Sequence, residues 1–125
     1  MRLIDRLFRD LEKVDGVVAC PSQFSAADAL WVNGREVAHK HEHALDVRLT
    51  RQVIRARRAE LRADPRVALR GSTSDWLEVA VHQEDDVHFA RALLMLAVDA
   101  HRAQAGEQER PPPTRAELER RRHFH

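Results

Sequence analysis

The chain has 125 residues, 43% hydrophobic and 33% charged, which is the composition of a folded domain rather than of a disordered or fibrous chain. Its 21 basic residues, all but Lys13 and Lys40 arginines, balance 20 acidic ones to a net charge of +1, so no global field draws it to nucleic acid or to a membrane surface. One cysteine, Cys20, cannot close an intramolecular disulfide, and the longest apolar run, Ala92 to Val98, is far short of the ~20 residues of a membrane span.

Taken in order, Leu3, Ile4, Leu7, Phe8, Leu11 and Val14 recur at helical spacing, and Gly16 marks a stop. Charges at Arg2, Asp5 and Arg6 interrupt this segment as a signal peptide, so a cytoplasmic protein with no membrane partner is expected. GVVAC reads as a strand ended by Pro21, and Ser22 to Ala27 as a loop. ALWV and REVAHKHEH flank Asn33-Gly34, the preferred two-residue turn of a hairpin. LDVRL alternates apolar Leu45, Val47 and Leu49 with Asp46 and Arg48, the pattern of a strand with one buried face.

Thr50 is placed to cap a helix running through Arg62, and Asp64-Pro65 ends it because the residue before proline disfavours helical geometry. VALR and WLEVAVH are two further strands around the turn-rich GSTSD. The acidic Glu84-Asp85-Asp86 opens a long helix that reaches about Ala103, with Gly106 just beyond. After it, Pro111 to Pro113 form a stiff spacer, and Thr114 and Glu117 have the spacing of a capping box. The order α-β-β-β-β-α-β-β-α predicts an α+β fold: a mainly antiparallel sheet of five or six strands with three helices packed on it. Residues 1–104 form the domain, and residues 105–125 a flexible, Pro/Arg-rich tail with almost no apolar anchor.

The segment HKHEHALD, His39 to Asp46, concentrates the chemistry. Residues two apart share a strand face, so His39 and His41 project together, whereas a turn near Glu42-His43 takes His43 off that face. Three readings follow. The pair can ligate a transition metal with His43, Asp46, Glu78 or His82 completing the shell. It can transfer protons, with Asp46 holding one imidazole in the required tautomer. Or it is a polar sheet face with no chemistry. Glu36, by strict alternation, falls on the opposite face from His39. No nucleophile elbow and no phosphate-cradling glycine loop occurs. The helix after Thr50 carries Arg51, Arg55, Arg57, Arg58 and Arg62 against Glu60 alone, a solvated face or a surface for a phosphate-rich or acidic partner.

Several of these features occur together in one known family. Gly34-Arg35-Glu36, His39-x-His41, Asp46-x-Arg48, the arginine-rich helix ending in Asp64-Pro65, Ser74-Asp75-Trp76 and the Asp85/Asp86 helix start resemble the luciferase-domain family, small bacterial proteins similar to the fungal luciferases. The resemblance spans about Gly34 to Ala100. Where many members have glycine soon after the second histidine, this chain has Glu42-His43-Ala44. The resemblance implies an oxygenase that uses no metal, no flavin and no other cofactor, acting on a hydroxypyrone-like enol. Carried onto matching positions, it implies His39, His41 and Asp46 as catalytic residues. Glu36, Arg48, Trp76 and Glu78 are then ligand contacts, with a small molecule rather than nucleic acid as the partner.

Overall fold

Ile4, Leu7, Phe8 and Leu11 all point inward from helix α1 (Leu3–Leu11), which ends short of the expected Val14. The chain then leaves helical geometry in two successive turns, Lys13 N–H to Asp10 O and Val14 N–H to Leu11 O, and Gly16 follows at φ 86°. The computed structural model describes residues 1–71, 73–104 and 114–123. Beyond α1 it contains β1 (Val17–Pro21), β2 (Asp28–Val32), β3 (Arg35–Lys40), β4 (Ala44–Arg48), α2 (Arg51–Ala56), α3 (Arg58–Ala63), β5 (Val67–Leu69), β6 (Trp76–Ala80), α4 (Glu84–Gln104) and α5 (Arg115–His123). This is the expected α+β fold, with six strands in the order β1-β2-β3-β4-β6-β5, every neighbouring pair antiparallel. No helix among the described residues is long and apolar enough to cross a membrane.

Local chemistry explains the connections. Asn33 and Gly34 both take positive φ, 51° and 74°, as the predicted two-residue turn requires. His41 N–H to Ala44 O at 2.8 Å closes the β3–β4 turn around Glu42-His43. Thr50 caps α2 by accepting from Val53 N–H at 3.1 Å. The helix expected from Thr50 through Arg62 is in fact two, because Arg57 at φ −110°, ψ 12° interrupts it; α3 ends at the expected Asp64. At the start of α4 the Asp86 carboxylate accepts from the backbone N–H groups of His82 and Gln83.

One face of the sheet is the core. Leu30, Val32, Val37, Ala38, Leu45, Val47, Leu77 and Val79 pack there against α1 and against Ala90, Leu93, Leu94, Ala97 and Val98 of α4. Each leucine fully buried there contributes roughly 1.5–3 kcal/mol over an exposed one. The opposite face carries His39, Asp46, Arg48, Trp76 and Glu78, and beside them a small separate cluster of Ala29, Trp31 and Leu118.

That cluster concerns the expected tail. Gly106 and the Pro111–Pro113 spacer lie outside the described residues, as does Ser72 of the GSTSD turn. Thr114 and Glu117 form the capping box, each side chain bonding the other's backbone N–H, and α5 follows. Leu118, the one aliphatic residue larger than alanine in α5, is 0% exposed against Ala29 and Trp31, so α5 has an apolar anchor that its composition does not suggest.

Candidate active site

A β-bulge builds the site. Leu30 pairs with Ala38 but Trp31 pairs with Glu36, so Val37 is an extra residue in β3, and both Val37 and Ala38 belong to the core. The extra residue shifts the alternation by one. Glu36 and His39, three apart and expected on opposite faces, therefore share the polar face: Glu36 Oε2 lies 2.8 Å from His39 Nδ1. Across β4, His39 stands in register with Asp46, and its Nε2 lies 2.6 Å from Asp46 Oδ2.

Both nitrogens of His39 thus face carboxylate oxygens. A neutral ring has one N–H and one lone pair, and would aim the lone pair at an anion; a protonated ring donates to both. Burial works against the charged ring, but the hydrogen bond to Glu36 and the charges of Asp46 and Glu36 outweigh it and raise the His39 pKa above its usual value. Asp46 shows the converse. Burial pushes its carboxyl up, yet the hydrogen bond from His41 and the charges of His39 and Arg70 hold it below the usual carboxylate range. Arg70 donates to Asp46 Oδ1 at 2.8 Å, and His41 Nε2 lies 2.9 Å from Oδ2. Glu36 is 0% exposed and fully occupied, accepting from Ser22 Oγ at 2.8 Å and from Gln23 N–H at 2.7 Å as well as from His39.

Aromatic rings complete the surface. The Trp76 ring lies 5.2 Å from that of His39, and Phe24 packs edge-on against Trp76 at 5.6 Å. Phe24 itself is 59% exposed. Arg48 lies over Trp76 and bonds Asp75 at 3.0 Å.

The structure therefore gathers His39, His41, Asp46 and Trp76 as the sequence suggests, and changes the roles of their neighbours. Glu36 is an interior support for His39, because the bulge turns it inward beneath the ring. Arg48, expected as a ligand contact, pairs with Asp75, and the guanidinium on Asp46 is that of Arg70, which follows the short edge strand β5. Glu78 is in register with Asp46 on β6, half-buried, with no hydrogen bond to the site among the described residues. His43 and His82 stack on each other at 5.5 Å, at the end of the sheet where α1 begins, and join no ligand set among the described residues. Arg70, Phe24 and Ser22 were missed. Phe24 alone carried a signal, a lone aromatic in a polar loop.

Chemically, two arrangements fit. With Asp46 accepting from Nε2–H, the exposed His41 keeps its Nδ1 lone pair, to which no hydrogen bond is made among the described residues. That is an aspartate-oriented general base beside a fixed imidazolium. Alternatively, His39, His41 and Asp46 each offer one donor atom, these atoms all lie within 4.8 Å of one another, and a divalent ion could take them as ligands, with Glu36 orienting His39 from behind. No family model, curated protein or solved structure matches this chain.

Proposed function

We propose that the chain is a luciferase-domain-like protein whose polar sheet face binds a planar enol of the hydroxypyrone type and removes its proton. The observation that carries this reading is the Glu36–His39–Asp46–His41 relay, in which one histidine is enclosed between two carboxylates and the other is accessible and aspartate-held. His41 Nδ1 accepts the enol proton, and Asp46 stabilises the imidazolium that results. The positive charge of His39, fixed before the ligand arrives, favours the enolate over the enol. Trp76 and Phe24 supply apolar walls for a flat ring. Arg48 and Glu78 flank the pocket on the same face. An enolate is electron-rich enough to react with dioxygen, which is the cofactor-free oxygenation that the family resemblance implies. In this reading the partner is a small molecule rather than nucleic acid, and the single cysteine suits a reducing compartment such as the cytoplasm.

The test is spectroscopic. A hydroxypyrone bound as its anion shows a red-shifted absorbance, and His41→Gln should abolish that shift while circular dichroism stays native. An equal shift in the variant would reduce the histidines to a polar sheet face.

A second reading is a mononuclear divalent metal centre on His39, His41 and Asp46, favoured by the convergence of their three donor atoms. Elemental analysis of untagged protein separates the two. Stoichiometric metal that disappears in His39→Ala/His41→Ala establishes the metal centre, and its absence after reconstitution with iron or zinc leaves the proton-transfer site.

A further inference from the structure

Away from the histidine face, Arg51, Arg55 and Arg58 line one cavity of about 330 Å³ together with Ile54 and Thr73. Arg51 and Arg55, four apart, share one side of α2, and Arg58, the first residue of α3 beyond the break at Arg57, borders the same cavity. Like charges so placed repel, and nothing in the surroundings relieves them: no carboxylate reaches any of the three among the described residues. Arg9, Arg62, Arg102, Arg115 and Arg120 likewise meet no carboxylate among the described residues, but Arg51, Arg55 and Arg58 share one hollow. Arg6, Arg48, Arg66, Arg70 and Arg91 each meet a carboxylate at 3.0 Å or less. With nearly as many acids as bases in the chain, three guanidinium groups around one hollow, none with a carboxylate partner among the described residues, are a local choice of residues rather than a result of excess positive charge.

We infer that Arg51, Arg55 and Arg58 form a binding site for the phosphate group of a small molecule. Guanidinium groups present planar pairs of donors that match phosphate oxygens two at a time, and several of them can share the oxygens of one phosphate. Ile54 gives the hollow an apolar side for the rest of the ligand, and Thr73 a hydroxyl at its rim. The volume falls at the lower end of the roughly 300–1,000 Å³ of small-molecule pockets, which suits a phosphorylated metabolite rather than a nucleic-acid strand. Strand-binding surfaces run as grooves along the backbone and rest on a strong basic excess, and this chain has a net charge of +1. The site is independent of the histidine face and stands whether or not that face moves protons.

Isothermal titration of the full chain with inorganic pyrophosphate at low ionic strength tests it. Saturable binding is expected, weakened about tenfold or more in Arg55→Ser by loss of one charge-assisted pair. It should be lost in the triple variant Arg51→Ser/Arg55→Ser/Arg58→Ser and retained in the control Arg120→Ser. All three side chains reach solvent, and circular dichroism verifies that each variant folds. No heat with the wild-type chain, or equal affinity in the triple variant, overturns the inference. So does a single-stranded oligonucleotide that binds more than about tenfold tighter than pyrophosphate with a steep salt dependence, which would make the arginines a polyanion surface.

Discussion

Removing the carboxylate of Glu36 should cost more than any other single change on the polar face. It is completely buried and accepts three hydrogen bonds, from Ser22 Oγ, Gln23 N–H and His39 Nδ1, at 2.7 to 2.8 Å. Glu36→Ala strands those donors and leaves the charged His39 ring with one counter-ion, so a loss of about 3–5 kcal/mol is expected, as for other broken buried pairs. For a chain of this length that is a fall in Tm of roughly 10–20 °C. Glu36→Gln keeps the shape and one acceptor oxygen and should cost only about 1–2 kcal/mol. The two variants also separate by pH. The His39 pKa is raised on folding above its ordinary 6.5, so its contribution is complete below that value and fades as pH rises through the folded value. Because Glu36→Gln removes the partner most responsible, its penalty should be larger at about pH 6 than at about pH 9. Urea unfolding of the three proteins at both pH values measures this. A penalty under about 1 kcal/mol for Glu36→Ala, or one for Glu36→Gln that does not change with pH, would refute the enclosed imidazolium.

Other outcomes follow from particular contacts. His101, 2% exposed, has its Nε2 3.0 Å from the Arg48 carbonyl, while its buried Nδ1 makes no hydrogen bond among the described residues. Burial lowers its pKa, so its contribution is present above the ordinary 6.5 and is lost as pH falls; His101→Gln should flatten the decline in stability between about pH 6.5 and 5. Leu118→Ala should release α5, removing amide-exchange protection from Arg115–His123 while the sheet keeps its own, and it should red-shift the fluorescence of Trp31 beneath. Arg70→Ala leaves Asp46 with its histidines only, so the Asp46 pKa should rise, observable as a carboxyl carbon shift on NMR titration at low pH.

Most of the architecture was legible because periodicity and turn chemistry agree along the chain. The Asn33-Gly34 turn, the alternation of LDVRL and WLEVAVH and the cap at Thr50 each specify an element, and each is present. His39, His41 and Asp46 were legible for the same reason: a short turn between two strands brings them into register. The role of Glu36 was not, since a bulge is the insertion of one residue into a pairing, and nothing in REVAHKH marks Val37 as the unpaired one. Arg70 was hidden because it lies far along the chain and depends on β5 pairing at the sheet edge. The anchoring of α5 rests on one leucine, too little for a composition-based reading to detect.

The most direct test of the central claim is to count protons while a hydroxypyrone binds, by titration calorimetry in buffers of different ionisation enthalpy below the pKa of the ligand. If His41 takes the enol proton, the ligand binds as its red-shifted anion and the wild-type protein releases no proton to the buffer. A red-shifted complex that expels a full proton, or a bound ligand with the absorbance of the neutral enol, would contradict proton transfer to His41.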